Sequence, residues 1–169
     1  MKIIAPLLLL VALSGCGLRP LYGTGESGSV AQVLRSVEVG PIDGKAGWLM
    51  RQALSDRLRS GDGVPARYRL NIELDDRISG FGVRADDVIT RERRTLRARF
   101  QLIDNATAKP LFDATAGSDS GIDVVSSEYA TVAAENTALE RLSQTVADQI
   151  VARIALHIQS EQDAVPAPK

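Results

Sequence analysis

Two groups of side chains in this chain are placed to do chemistry: Cys16, its only cysteine, and the arginines Arg91, Arg93, Arg97 and Arg99. Cys16 ends the string Leu13-Ser14-Gly15-Cys16, directly after an apolar run from Ile3 to Leu13 that Lys2 precedes. A basic start, an apolar stretch too short to span a bilayer and small residues before a cleavage point make a signal peptide. A cysteine just past that point has a thiol open to acylation, and cleavage frees its amine for a further acyl chain. Each buried methylene contributes about 0.8 kcal/mol, so two or more chains hold stably in a membrane. The plainer reading is a small apolar residue in a secretory leader, or the first residue of an ordinary secreted domain. With no second cysteine, no disulfide forms within one copy, and the domain relies on its core even in an oxidising compartment. Gly17 stands where an aspartate is associated with retention at the inner membrane, so the expected address is the outer membrane, lipid-anchored on its periplasmic side.

Arg91, Arg93, Arg97 and Arg99 are spaced at even intervals, and in a strand they share one face with Thr95 between them. Guanidinium forks bind phosphate through two parallel hydrogen bonds, so this ladder suits a phosphorylated, acyl-bearing ligand better than lysines would. The competing reading is cross-strand pairing with Glu73 and Asp75, which lie on the corresponding face of the preceding strand, or contact with a protein partner. Residues 64–99 hold nine arginines against six acids, whereas residues 100–169 hold four basic groups against ten acidic ones. The basic character is therefore local, in a chain of formal net charge −1. Export from the cytoplasm removes nucleic acid from the expected partners.

Little else supports catalysis. His157 is the only histidine and sits among Ile154 and Ile158, as a core-edge or helix-surface residue does. No paired histidines or free cysteines offer a metal site, and Ser14 and the serines of the tether lack a base. Successive strand residues face opposite ways, so neither Asp75-Asp76 nor Asp86-Asp87 makes a joint carboxylate site. Gly80-Phe81-Gly82 has no helix after it and is a poor phosphate loop. The chain is read as a non-enzyme without metal or cofactor.

The elements that position these groups follow from periodicity. Residues 1–15 form the signal peptide, 16–32 a lipid-anchored tether rich in Gly and Ser, 33–160 one α+β domain, and 161–169 a disordered tail. Val33, Val37 and Val39 alternate with polar residues, predicting a strand that ends at Gly40-Pro41. Met50, Leu54 and Leu58 share one face of a helix from Gly44 to about Arg59, closed by Ser60-Gly61-Asp62-Gly63. Tyr68, Leu70, Ile72 and Leu74 alternate with Arg67, Arg69, Asn71, Glu73, Asp75 and Arg77 in a half-buried strand up to Ile78. After a break at Gly80-Phe81-Gly82 a strand from Thr90 to Ile103 turns Leu96, Ala98, Phe100 and Leu102 to the core. Asp104 to Pro110 turns into a shorter strand, Leu111 to Gly117. From Ser126 to about Gln159, Leu139, Leu142, Val146, Ile150 and Ile154 recur at helical spacing beside many charges, which is a helix that packs on a sheet rather than crossing a membrane.

The string CGLRPLYG, Cys16 to Gly23, resembles the mature start of the LPS-assembly lipoprotein LptE family, alphaproteobacterial branch. The likeness continues in the helix from Gly47 to Leu58, in RYRL from Arg67, in TRERRTLRARFQL from Thr90 and in EYATVAAENTALERL from Glu128. Leu18 departs from it, standing where an aromatic is more usual. The resemblance implies a two-layer domain, a four-stranded, mostly antiparallel sheet with two helices on one face, in the order β-α-β-β-β-α. It also implies a plug and assembly partner of the outer-membrane barrel LptD, serving lipopolysaccharide (LPS) delivery, with LPS phosphates suited to the Arg91, Arg93, Arg97 and Arg99 face. A different lipoprotein of like fold, the periplasmic auxiliary subunit of a lipid-transport ABC system, fits the same anchor and class.

Overall fold

The computed structural model describes residues 28–58, 63, 65–83 and 89–164. Cys16 and its CGLRPLYG string, the signal peptide and the Asp86-Asp87 pair lie outside them. The chain runs through α1 (Ser29–Arg35), β1 (Val37–Val39), α2 (Gly44–Leu58), β2 (Tyr68–Val83), β3 (Ile89–Asp104), β4 (Pro110–Asp123) and α3 (Glu128–Ala164). The sheet is open with order β1-β2-β3-β4; β1 pairs parallel with β2 and the other two pairings are antiparallel.

The alternation in β2 and β3 decides which face is dry. Tyr68, Leu70 and Ile72 are buried on β2, and Leu96, Ala98, Phe100 and Leu102 on β3, while the residues between them stay exposed or half-buried. Met50, Leu54 and Leu58 of α2 and Leu139, Leu142, Val146, Ile150 and Ile154 of α3 close over that face as one core. Each such side chain removed from water contributes about 1.5–3 kcal/mol. Arg57 of α2 donates through Nη2 to Asp148 of α3 at 3.1 Å, tying the two helices at their exposed edge.

Four sequence expectations change. Val33 is not in a strand: Ser29–Arg35 is helical, so there are three helices, and the order is α-β-α-β-β-β-α. This helix seats Leu34 in the core, and Ser29 Oγ donates to Gln162 near the end of α3 at 2.9 Å. It starts inside the span read as tether. The Gly80-Phe81-Gly82 break is absent, because both residues of Gly80↔Glu92 and Phe81↔Arg91 stay in the β2–β3 ladder, with Gly82 at a φ of 76°. Strand β4 is twice the predicted length, since its polar second half, Ser118 to Asp123, pairs in register with β3 from Leu96 back to Arg91. Finally, α3 continues to Ala164, inside the span read as a disordered tail.

Strand β1 reaches only Tyr68–Leu70, so most of the outer edge of β2 has no strand partner among the described residues. Glu73, Asp75, Asp76 and Arg77 crowd that edge with charge, which discourages edge-to-edge association. The edge of β4 is handled differently. Gly117 N donates to Gln149 Oε1 at 3.2 Å, and Arg153 donates to the Thr115 carbonyl, so α3 side chains satisfy backbone groups that no further strand meets among the described residues.

Candidate functional site

With α2 and α3 on one face of the sheet, the other face carries the odd-numbered residues of β2, β3 and β4. Arg91, Arg93, Arg97 and Arg99 all lie on it and all are exposed. The structure therefore brings together the four arginines that the even spacing placed on one face. Their ion-pair partners among the described residues are not the ones the sequence offered. Arg91 donates to Asp123 at 3.1 Å, Arg93 lies 3.6 Å from Asp119, and Arg99 makes a forked pair with Asp113 at 3.2 and 2.8 Å. These carboxylates are on β4. Glu73 and Asp75, on β2, are register neighbours of Arg99 and Arg97, but Asp75 is taken by Arg77 two residues along its own strand at 2.7 Å. Glu73 acts on Arg99 only as the weakest of the charges that bear on it.

Electrostatics follow from these contacts. The hydrogen bonds from Arg99, and then from Gln101, hold the Asp113 carboxyl below the usual carboxylate range. The same bond from Arg99 to Asp113 raises the guanidinium further above its already high value, so the pair is fully charged at any physiological pH. Exposed pairs of this kind are screened by water and hold weakly, so exchange of a carboxylate for another anion at these arginines carries a small cost. Arg97 differs from its neighbours. Among the described residues no carboxylate lies within ion-pair distance of it, and Gly117 faces it directly across the β3–β4 ladder.

One functional-looking group was missed. Arg94 has the opposite parity from the ladder and turns to the helix face, where it is buried. Its Nε and Nη2 donate to the two oxygens of Asp76 at 2.8 and 2.6 Å, and its Nη1 donates to the Glu135 carbonyl of α3 at 2.9 Å. The Asp76 hydrogen bond raises the guanidinium above its usual range against the opposing effect of burial. Parity was the signal that would have found it, since Asp76 falls on the face of Tyr68, Leu70 and Ile72, and Arg94 on that of Leu96. Asp75 and Asp76 consequently serve different arginines on opposite faces, as a pair of successive strand residues must.

His157 stacks on Phe112 with ring centroids 4.5 Å apart and planes inclined by 11°. Its Nε2 is buried, without a hydrogen-bond partner among the described residues, and 3.6 Å from Glu161. It lines a cavity of about 300 Å³ with Val33, Tyr68, Leu102, Leu111 and Ile158, at the end of the sheet where α1 meets α3. No group of three or more potential metal ligands occurs among the described residues, and no described helix is long and apolar enough to cross a membrane.

Comparison with known proteins places this architecture. The family model described as LptE, lipopolysaccharide-assembly, matches residues 34–154. No curated protein matches the chain. Among solved structures, a candidate lipoprotein of Caulobacter crescentus CB15 is similar at 26% identity and a TM-score of 0.68, over 83% of this chain and 100% of that one. Rare lipoprotein B from Shewanella oneidensis shares the fold at 12% identity and a TM-score of 0.54, over 75% of this chain and 96% of that one. A lipoprotein B of Nitrosomonas europaea does so at 12% identity and a TM-score of 0.56, over 79% and 88%.

Proposed function

This chain belongs to the LptE lipopolysaccharide-assembly family, and from that premise we propose that it is an outer-membrane lipoprotein, anchored through acylated Cys16, that partners the LptD barrel. The observation that carries the reading is the family match itself, which runs from Leu34 in α1 to Ile154 in α3 and so spans both layers of the domain. The role is one of binding and assembly without catalysis. The domain plugs and supports the barrel, and it assists the passage of LPS to the cell surface.

Arg91, Arg93, Arg97 and Arg99 contribute to this role as a surface for the phosphates of LPS. Support comes from their exposure, from the weakness of the exposed Asp113, Asp119 and Asp123 pairs they would exchange, and from the absence of a described element over that face. Guanidinium groups stay charged while a phosphate replaces a carboxylate, so the exchange conserves charge pairing on the sheet.

Co-purification tests the partnership. Tagged full-length protein, extracted with detergent from outer membranes, should bring down an LptD-type barrel. Recovery of inner-membrane lipid-transporter subunits instead would replace this reading with that of an auxiliary transport lipoprotein.

A further inference from the structure

The arginine ladder is interrupted at one position, and the interruption has a shape. Arg91, Arg93 and Arg99 each meet a β4 aspartate, whereas Arg97 faces Gly117, which has no side chain to offer. The close approach is real: a Cβ at Gly117 would sit 3.2 Å from Arg97 Cγ and 3.2 Å from the Leu96 carbonyl. A glycine there lets the Arg97 stem lie across the strand toward the β4 edge. From the far side of that edge comes Arg153 of α3, held by its bond to the Thr115 carbonyl. Arg97 and Arg153 line one cleft of about 340 Å³, together with Thr95, Thr115, Ser118 and Asp119.

We propose that this cleft over Gly117 is a binding site for a phosphate monoester. Arginines from different layers of the fold line it, together with Thr95 and Thr115, whose odd positions put their hydroxyls on the open face. The one carboxylate among the lining residues, Asp119, lies beside Arg93. Among the described residues no carboxylate pairs with Arg97, unlike the three paired arginines of the ladder. Arg153 is oriented by a backbone bond that leaves the rest of its fork available, and such forks hold phosphate through paired charge-assisted bonds. The proposal deepens the reading of the sheet face as an LPS-phosphate surface and rests on it for the identity of the natural ligand, since a lipid headgroup and free phosphate share this chemistry.

The test is an NMR titration of full-length protein in detergent micelles, following the arginine Nε–H signals. The probes are inorganic phosphate, a phosphorylated glycolipid and the same glycolipid without phosphate. Arg97 and Arg153 should shift saturably with the first two probes and not with the third, and at lower probe concentration than Arg91, whose Asp123 must first be displaced. Arg97→Gln, at an exposed position without an ion pair among the described residues, should weaken phosphate binding about tenfold, as loss of one charge-assisted contact does. An unshifted Arg97 and Arg153 with both phosphorylated probes, or an Arg97→Gln protein that binds them as before, would overturn the site. LPS binding that survives Arg97→Gln with Arg153→Gln would remove the cleft and leave the sheet-face reading standing. Phosphate shifts at Arg97 and Arg153 in a protein that ignores the phosphorylated glycolipid would support the site with free phosphate as its ligand, and would count against the LPS reading alone.

Discussion

Arg94 of β3 and Asp76 of β2 form a forked ion pair on the helix face of the sheet, with side chains 11% and 23% exposed, and Arg94 also holds the Glu135 carbonyl of α3. The pair is thus the polar end of an otherwise apolar interface, where the two long strands outrun the core. Removing one member leaves a poorly solvated charge behind. Asp76→Ala should destabilise the fold by about 2–3 kcal/mol, somewhat less than for a fully buried pair. Arg94→Met combined with Asp76→Leu should recover most of that loss, because no charge is then stranded. Urea unfolding of the two variants decides it: a double variant as unstable as Asp76→Ala would show that the pair is not acting as a charge pair.

Acid should loosen the structure through three carboxyls. Asp113 is held below its ordinary range by bonds from Arg99 and Gln101, Asp148 by Arg57, and Asp104 by the Thr107 and Ala106 backbone amides. The unfolded chain takes up these protons more readily than the folded one, so the stabilisation is present above the ordinary carboxylate range and is lost as pH falls below about 4. Urea midpoints measured against pH should stay level down to about pH 5 and then drop, and Asp148→Asn should flatten the drop. An unchanged acid limb in that variant would contradict the assignment.

Gly47 reverses a common rule. Alanine in place of glycine inside a helix ordinarily stabilises by about 0.8–1 kcal/mol. At Gly47 of α2, however, a Cβ would lie 2.4 Å from the Ile42 carbonyl oxygen and 2.6 Å from its carbon. Backbone is hard to displace, so Gly47→Ala should destabilise by about 1–3 kcal/mol, as overpacking does. A thermal midpoint equal to or above that of the parent would show that the Ile42 segment yields freely.

Charge reversal tests the ladder. Arg93→Glu with Arg97→Glu should weaken LPS binding strongly and make what remains less sensitive to added salt than binding to the parent, which should fall as salt screens it. Both side chains point away from the core, so the far-ultraviolet circular dichroism spectrum should be unaltered. Parent-like LPS binding by the folded double variant would leave Arg93 as a partner of Asp119 alone and Arg97 without a part in LPS binding.

Much of this architecture is legible from residue spacing, and its exceptions have physical causes. β2, β3 and α3 bury long one-sided series such as Leu96, Ala98, Phe100 and Leu102, and such series show their period. α1 is seven residues with one buried side chain, Leu34, too short to show a helical repeat. Val33 falls an even number of residues before Val37 and Val39 and so mimics a strand. The second half of β4 buries only Ile122, so its strand character comes from pairing with β3 rather than from its own pattern. The ladder face was readable for the same reason as the core, by parity. Its ion partners were not, because β4 supplies them and half of β4 went unseen.

The central claim, that this protein serves assembly of the LPS-exporting barrel, is tested most directly by depleting it and measuring the amount of folded LptD together with LPS at the cell surface. Folded barrel and surface LPS should both fall, and chain carrying an intact Cys16 should restore them. Unchanged folded LptD and unaltered surface LPS after full depletion would contradict the account.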